Sequence, residues 1–271
     1  MEDSPPVSSF LSRIVVIALL LPAVIALVYV GGWWLWGLAL TGGLVALHEL
    51  YAIGSSLRPL RLGGYAGALA ALLGMQLGGA PWLLVGVLST LLFAFCVFLL
   101  AQARPTFTAA MGTTVLGVAW VIGGLGCLLL VREIPEFGLW AIVAVMFTVF
   151  VGDTFAYLVG RAVGRHRMAP AISPGKSWEG FAAGTITAVL VPFLLLYRDR
   201  DEFLSVGELF VLGGVVAVAA VLGDLFESAV KRDLGVKDSG RILGGHGGML
   251  DRLDALLFAG PVAYVVILIA T

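Results

Sequence analysis

Nine stretches of close to twenty mostly apolar residues run through the chain, at about 14–30, 33–53, 64–78, 81–101, 112–131, 138–160, 178–197, 207–230 and 251–270. An α-helix rises about 1.5 Å per residue, so runs of this length suit a hydrocarbon layer roughly 30 Å thick. Lipid offers no hydrogen-bond partners, so every backbone N–H and C=O must be satisfied inside the protein, and a helix does this within one segment. The predicted fold is therefore all-α, a polytopic transmembrane bundle of about nine helices. Composition agrees: 60% of the 271 residues are hydrophobic and only 12% charged, about half the ~25% of soluble domains. The third run is the shortest and is rich in glycine. The first follows Arg13 as a signal peptide would, yet it lacks a small-residue cleavage site near its end and is read as a retained span. Pairs such as Gly123–Gly124 and Gly213–Gly214 allow close helix approach, which predicts tight packing. The sequence has no fixed-period repeat, low-complexity tract or separate soluble domain.

The basic residues orient the bundle. Counting along alternate sides of the nine spans puts 13 of the 16 lysines and arginines on one side, leaving only Arg132, Arg198 and Arg200 on the other. By the positive-inside rule the N-terminus and the long basic loops are cytoplasmic. Cys96 and Cys127 lie inside apolar runs and read as buried thiols rather than as a disulfide or a metal site.

Acidic residues deep in apolar runs are costly and call for a reason. Asp153 precedes Arg161 by eight residues, and Asp224 precedes Lys231 by seven, so each carboxylate sits about 10–12 Å along its helix from the basic end. Asp224, Glu227, Ser228 and Lys231 follow i, i+3, i+4, i+7 spacing, which gathers them on one helical face. Asp251 and Asp254 form an i, i+3 pair at the start of the ninth span. Carboxylates of spans six, eight and nine can thus converge near the cytoplasmic surface, either as structural ion pairs or as a site. Oxygen donors without histidine or thiolate clusters suit a hard cation, Mg²⁺ before zinc. Lys231, Arg232, Lys237 and Arg241 lie beside them, a receptacle for a polyphosphate. Gly244, Gly245, His246, Gly247 and Gly248 follow, and glycines let backbone amides approach an anion. His246 reads equally as a phosphate donor or as a loop histidine.

The loop after span six carries Arg161, Arg165, Arg167 and Lys176. Its segment Ser173–Gly180 superficially resembles a P-loop, but Pro170 stands where glycine is required and no strand precedes it. Ser173 or Ser177 can cap the seventh helix, and the N-termini of helices seven and nine then face one basin that favours anions. Arg165 and Arg167 serve either that basin or anionic headgroups.

Together these residues resemble a known family. Ser228–Ala–Val–Lys231–Arg232, then Lys237–Asp238–Ser–Gly240, then Leu243–Gly244–Gly–His246–Gly247–Gly248–Met–Leu–Asp251–Arg252–Leu–Asp254 is similar, over 27 residues, to the signature of phosphatidate cytidylyltransferases, the CDP-diacylglycerol synthases. Gly152–Tyr157, Gly160–Arg161 and Ser173–Gly180 are similar as well, with Ser177 where threonine is commoner. The resemblance covers roughly 150–271, whereas 1–150 shares only hydropathy and helix count. It implies a homodimeric, Mg²⁺-dependent enzyme of the inner membrane, with a monovalent cation such as K⁺ beside the Mg²⁺. The expected organisation is one integral membrane unit, with helices one to five and the start of six in 1–150 and the catalytic region in 151–271.

The expected reaction joins CTP to phosphatidic acid, giving CDP-diacylglycerol and pyrophosphate. A phosphate oxygen of the lipid attacks the α-phosphorus of CTP, so positioning and charge neutralisation matter more than a strong base. Asp224 and Asp251 are assigned to the metal, with Asp153 and Asp254 in support. Lys231, Arg232, Lys237 and Arg241 are assigned to phosphates. Ser173, Lys176, Ser177, Ser228, His246, Gly247 and Gly248 are assigned to substrate. CTP, phosphatidic acid and the bilayer are the expected partners, and no nucleic acid is. A CTP-dependent lipid kinase is the nearest alternative, ahead of a transporter, while the Asp-Gly-x₂-Ala-Arg pattern of CDP-alcohol phosphotransferases is absent.

Overall fold

A computed structural model describes residues 22–101, 106–240 and 247–271. The expected positions Arg241 and His246, with Gly244 and Gly245, lie outside the described residues. Helix α1 is described over 22–30. It is followed by α2 (Gly32–Ile53), α3 (Arg61–Gly78), α4 (Ala80–Leu100) and α5 (Phe107–Arg132), the last with a π-helical stretch at Val118–Ile122. Then come α6 (Gly138–Val163), strands β1 (Arg167–Ala169) and β2 (Ser173–Ser177), α7 (Trp178–Leu196), α8 (Val206–Asp233) and α9 (Leu250–Ala270). Seven of the described helices, α2 and α4 to α9, are long and apolar enough to cross a membrane. The chain is a multi-pass helical bundle of the predicted all-α class. Its departure from that class is the small antiparallel hairpin β1–β2, which pairs Arg167 with Ser177 and Ala169 with Ser173.

Local chemistry sets the helix ends. Ser205 caps α8: its Oγ accepts from Glu208 N at 3.5 Å while Glu208 Oε2 accepts from Ser205 N at 2.7 Å, a reciprocal box that satisfies two otherwise orphaned donors. Ser177 caps α7 by accepting from Gly180 N at 3.2 Å. Gly79, at φ 73°, turns α3 into α4, a conformation that a Cβ disfavours.

Small residues bring the helices close. A Cβ on Gly63 of α3 would lie 2.5 Å from Ala94 Cα of α4, so nothing larger than hydrogen fits between these two backbones. One continuous core joins residues of α2, α3, α5, α6, α8 and α9. Its Trp120, on the π-helical stretch, meets the half-buried Phe226 of α8 edge-on at 4.8 Å, and Phe226 meets Phe258 of α9 at 5.3 Å. The faces left outside this core are apolar, with Leu84, Leu92 and Leu100 of α4 and Leu190 and Leu194 of α7 exposed as lipid requires.

Candidate active site

Polar residues collect at the end of the bundle where α6 and α8 finish and α7 and α9 begin. The i, i+3, i+4, i+7 face of α8 is the organising surface. Asp224 Oδ2 lies 2.8 Å from Lys176 Nζ, which reaches in from β2 and also donates to Val221 O at 3.3 Å. Ser228 Oγ donates to Asp224 Oδ1 at 3.3 Å. One turn further, Lys231 Nζ bridges Glu227 Oε2 at 3.0 Å and Asp251 Oδ1 at 2.7 Å, tying α8 to α9. Asp251 Oδ2 accepts from Gly248 N at 2.8 Å and from Ser239 N at 3.2 Å. Asp224 stands close enough to both Asp153 and Asp254 for their charges to repel. Five carboxylates thus surround two ammonium groups.

A cleft of about 630 Å³ opens beside this cluster between α6, α7, α8 and the hairpin. Asp153, Lys176 and Asp224 line its inner wall, with Ser173 and Ser177, and Arg161 and Arg167 join the lining. Arg161 NH1 donates to Tyr157 Oη at 3.0 Å, and both line the cleft, whereas Phe155 is exposed on the other side of α6. The cleft exists because α6 and α7 touch through glycine: a Cβ on Gly180 would lie 2.5 Å from Ala156 O. A second groove, of about 580 Å³, lies between α2 and α3 and is lined mainly by Leu44, Val45, Ala66 and Leu69; its polar members are His48 and Tyr65.

Most residues expected from sequence reach this region, but several have specific tasks within the protein. Arg232 donates from Nε to Ile172 O at 3.3 Å and from NH1 to Val236 O at 3.2 Å, so it fastens the hairpin to the end of α8. Ser177 is buried and spends its hydroxyl on the α7 cap. Lys237 is exposed and Asp153 is open to the cleft. Gly247 adopts φ 81°, and Gly248 is buried against Glu49 of α2. Asp251, expected at the metal, pairs with the Lys231 ammonium and accepts from the amides of Ser239 and Gly248. No three His, Cys, Asp or Glu side chains among the described residues gather round one point as a preformed metal cage.

One participant is absent from the sequence reading. Glu49, on α2, is only 2% exposed, and its Oε2 accepts from Leu250 N at 2.9 Å and from Ser239 Oγ at 3.3 Å. The signal was available: Glu49 is a carboxylate inside an apolar run, the same criterion that singles out Asp153 and Asp224.

Known proteins match this arrangement over nearly its whole length. The Cytidylyltransferase family profile covers residues 11–270. A Staphylococcus epidermidis protein named phosphatidate cytidylyltransferase is 34% identical over 95% of this chain and 97% of its own length. Similarity rises towards half-length matches. Phosphatidate cytidylyltransferases of Haemophilus influenzae and Thermotoga maritima are both 43% identical, over 47% and 48% of this chain and 45% and 50% of theirs. With the polar cleft in a membrane-spanning bundle, these matches show that the chain belongs to the cytidylyltransferase family and is a membrane-embedded nucleotidyltransferase.

Proposed function

We propose that the chain transfers CMP from CTP to phosphatidic acid, releasing pyrophosphate, and that the reaction takes place in the cleft beside Asp224. The observation that carries this reading is the position of the Lys176–Asp224 pair: it lies on the wall of a cleft whose lining also includes the exposed Tyr157, Arg161 and Arg167. A lipid phosphate can reach this cleft while its acyl chains stay in hydrocarbon, and a nucleotide can enter from water at the same bundle end. Lys176, Arg161 and Arg167 supply charge for phosphate oxygens, and Arg is suited to bidentate phosphate contact. Lys237 is the exposed cation of the neighbouring segment and completes the receptacle. Lys231 and Arg232 act behind it, holding α8 to α9 and to the hairpin.

Mg²⁺ is the cofactor of this reading. Asp153 and Asp224, the carboxylates on the cleft wall, would repel a neighbouring phosphate unless a cation stood between them. The available donors are oxygens, and Asp153 and Asp224 face the cleft. The absence of a three-residue cage among the described residues suits an ion that takes one or two carboxylates and completes its shell with phosphates and water. Asp224 would be the principal ligand, with Asp153 and Asp254 beside it and Asp251, now paired with Lys231, as a further oxygen donor. When bound, the ion would neutralise phosphate charge and help align the phosphates for in-line displacement. A K⁺ ion beside it, a homodimer and residence in the inner membrane complete the proposal and rest on the family alone. The cytoplasmic placement of the site follows from the distribution of basic residues.

The test is product identity with purified chain in detergent micelles, phosphatidic acid and CTP labelled separately at the α- and γ-phosphates. Label from the α-position should enter lipid while pyrophosphate is released. Label from the γ-position in lipid, with CDP as the nucleotide product, would replace this reading with that of a lipid kinase.

A further inference from the structure

We infer that Glu49 is a positioning residue for the reaction: from the N-terminal half of the chain it clamps Ser239–Gly240 to Gly248–Leu250 and so holds the basic segment of the site in place. Two carboxylates act on these stretches. Asp251 accepts from the amides of Ser239 and Gly248, at 3.2 and 2.8 Å. Glu49 accepts from the Ser239 hydroxyl at 3.3 Å and the Leu250 amide at 2.9 Å, partners 190 and 201 positions away in sequence. Leu250 opens α9, so its amide is one of the N-terminal donors that the helix itself leaves unpaired, and a carboxylate there also meets the positive end of the helix.

The fit around Glu49 is closed on two sides. A Cβ on Gly240 would collide with Glu49 Oε1 and lie 2.8 Å from its Cδ. A Cβ on Gly248 would collide with Ser239 Oγ and lie 2.6 Å from Glu49 Oε2. Both glycines therefore leave the space that the carboxylate fills. Within the described residues Oε1 accepts no hydrogen bond, so burying this side chain is costly, and an aliphatic residue would pack the same space without that penalty. What an aliphatic residue lacks is the acceptor that joins Ser239 to Leu250. Lys237, the cation of this segment proposed to meet phosphate, lies two residues before Ser239, so a shift at Ser239 displaces it. This inference rests on that reading of the basic segment.

The experiment compares Glu49→Ala, Glu49→Gln and Ser239→Ala in the full-length protein in micelles, with two independent readouts. Native-state tryptic cleavage after the exposed Lys237 reports the clamp, and steady-state kinetics with CTP and phosphatidic acid varied separately report positioning. Glu49→Ala should speed cleavage about tenfold or more, as expected for losing a hydrogen bond to a charged acceptor. It should lower kcat/KM for CTP by up to about 100-fold, the loss associated with ångström-scale misplacement, while KM for phosphatidic acid holds within about twofold. Glu49→Gln keeps an oxygen that can accept from both donors and should restore most of each, and Ser239→Ala should fall between. Unchanged cleavage in Glu49→Ala overturns the clamp. Faster cleavage with unchanged CTP kinetics overturns the positioning role, whereas the phosphate reading of the segment fails only if Lys237→Ala also leaves CTP kinetics unchanged. Equal losses for both substrates that Glu49→Gln does not rescue overturn the inference in favour of a purely structural glutamate.

Discussion

Lys231→Met tests the tie between α8 and α9 directly. The ammonium sits between Glu227 Oε2 at 3.0 Å and Asp251 Oδ1 at 2.7 Å, with the side chains of the three residues 12%, 1% and 16% exposed respectively for Lys231, Glu227 and Asp251. Methionine keeps the apolar stem and removes only the charge and its donors. Glu227 loses the partner of one oxygen, and its other oxygen, Oε1, accepts no hydrogen bond within the described residues. Asp251 retains its two amide donors. Breaking a buried ion pair from one side costs about 3–5 kcal/mol, because the remaining charge stays buried without compensation. At about 2–4 °C per kcal/mol for a chain of this size, the midpoint of thermal unfolding in micelles should fall by about 6–20 °C. The double variant Lys231→Met with Glu227→Gln removes the stranded charge and should recover part of that loss, and the resulting double-mutant cycle isolates the pair's coupling. A midpoint within about 2 °C of the parent for Lys231→Met, less than 1 kcal/mol, would refute the claim that this lysine holds the helices together.

Two further predictions address the metal and the membrane. Asp224→Asn preserves size but replaces a carboxylate by a poorer Mg²⁺ ligand, so turnover should fall by about 100-fold or more with the thermal midpoint preserved; near-parental turnover at saturating Mg²⁺ removes Asp224 from the metal site. In a background lacking Cys96 and Cys127, Val236→Cys and Arg200→Cys should label with impermeant reagent from opposite faces of sealed vesicles, Val236→Cys from the cytoplasmic face; labelling of both from one face contradicts the nine-span arrangement.

Helix placement was legible in the sequence because lipid imposes one requirement on every spanning segment, and an apolar run records it locally. The expected spans 33–53, 138–160 and 251–270 correspond to α2 (Gly32–Ile53), α6 (Gly138–Val163) and α9 (Leu250–Ala270), differing mainly where polar or basic residues extend a helix beyond the apolar run. The convergence of Asp153 and Asp224 on one cleft was legible for a related reason: carboxylates are costly in an apolar run and tend to gather where polar partners meet them. Family membership followed from the spacing of Lys231, Lys237, Gly247, Gly248 and Asp251, which the matched profile covers.

Partner choice was not legible. Sequence spacing puts Asp224 and Lys231 on one face of α8, but it does not say that Asp224 takes Lys176 of the hairpin while Lys231 takes Glu227 and Asp251. Nor does it say that Asp251 serves two amides, or that Arg232 is spent on Ile172 O. Glu49 makes the same point most strongly, since its partners Ser239 and Leu250 lie 190 and 201 residues away. Helix formation depends on residues within a turn of one another, so the sequence determines it locally. The pairing of buried charges depends on ångström-scale distances between helices, which the close approach of glycines such as Gly180, Gly240 and Gly248 sets only once the whole bundle is assembled.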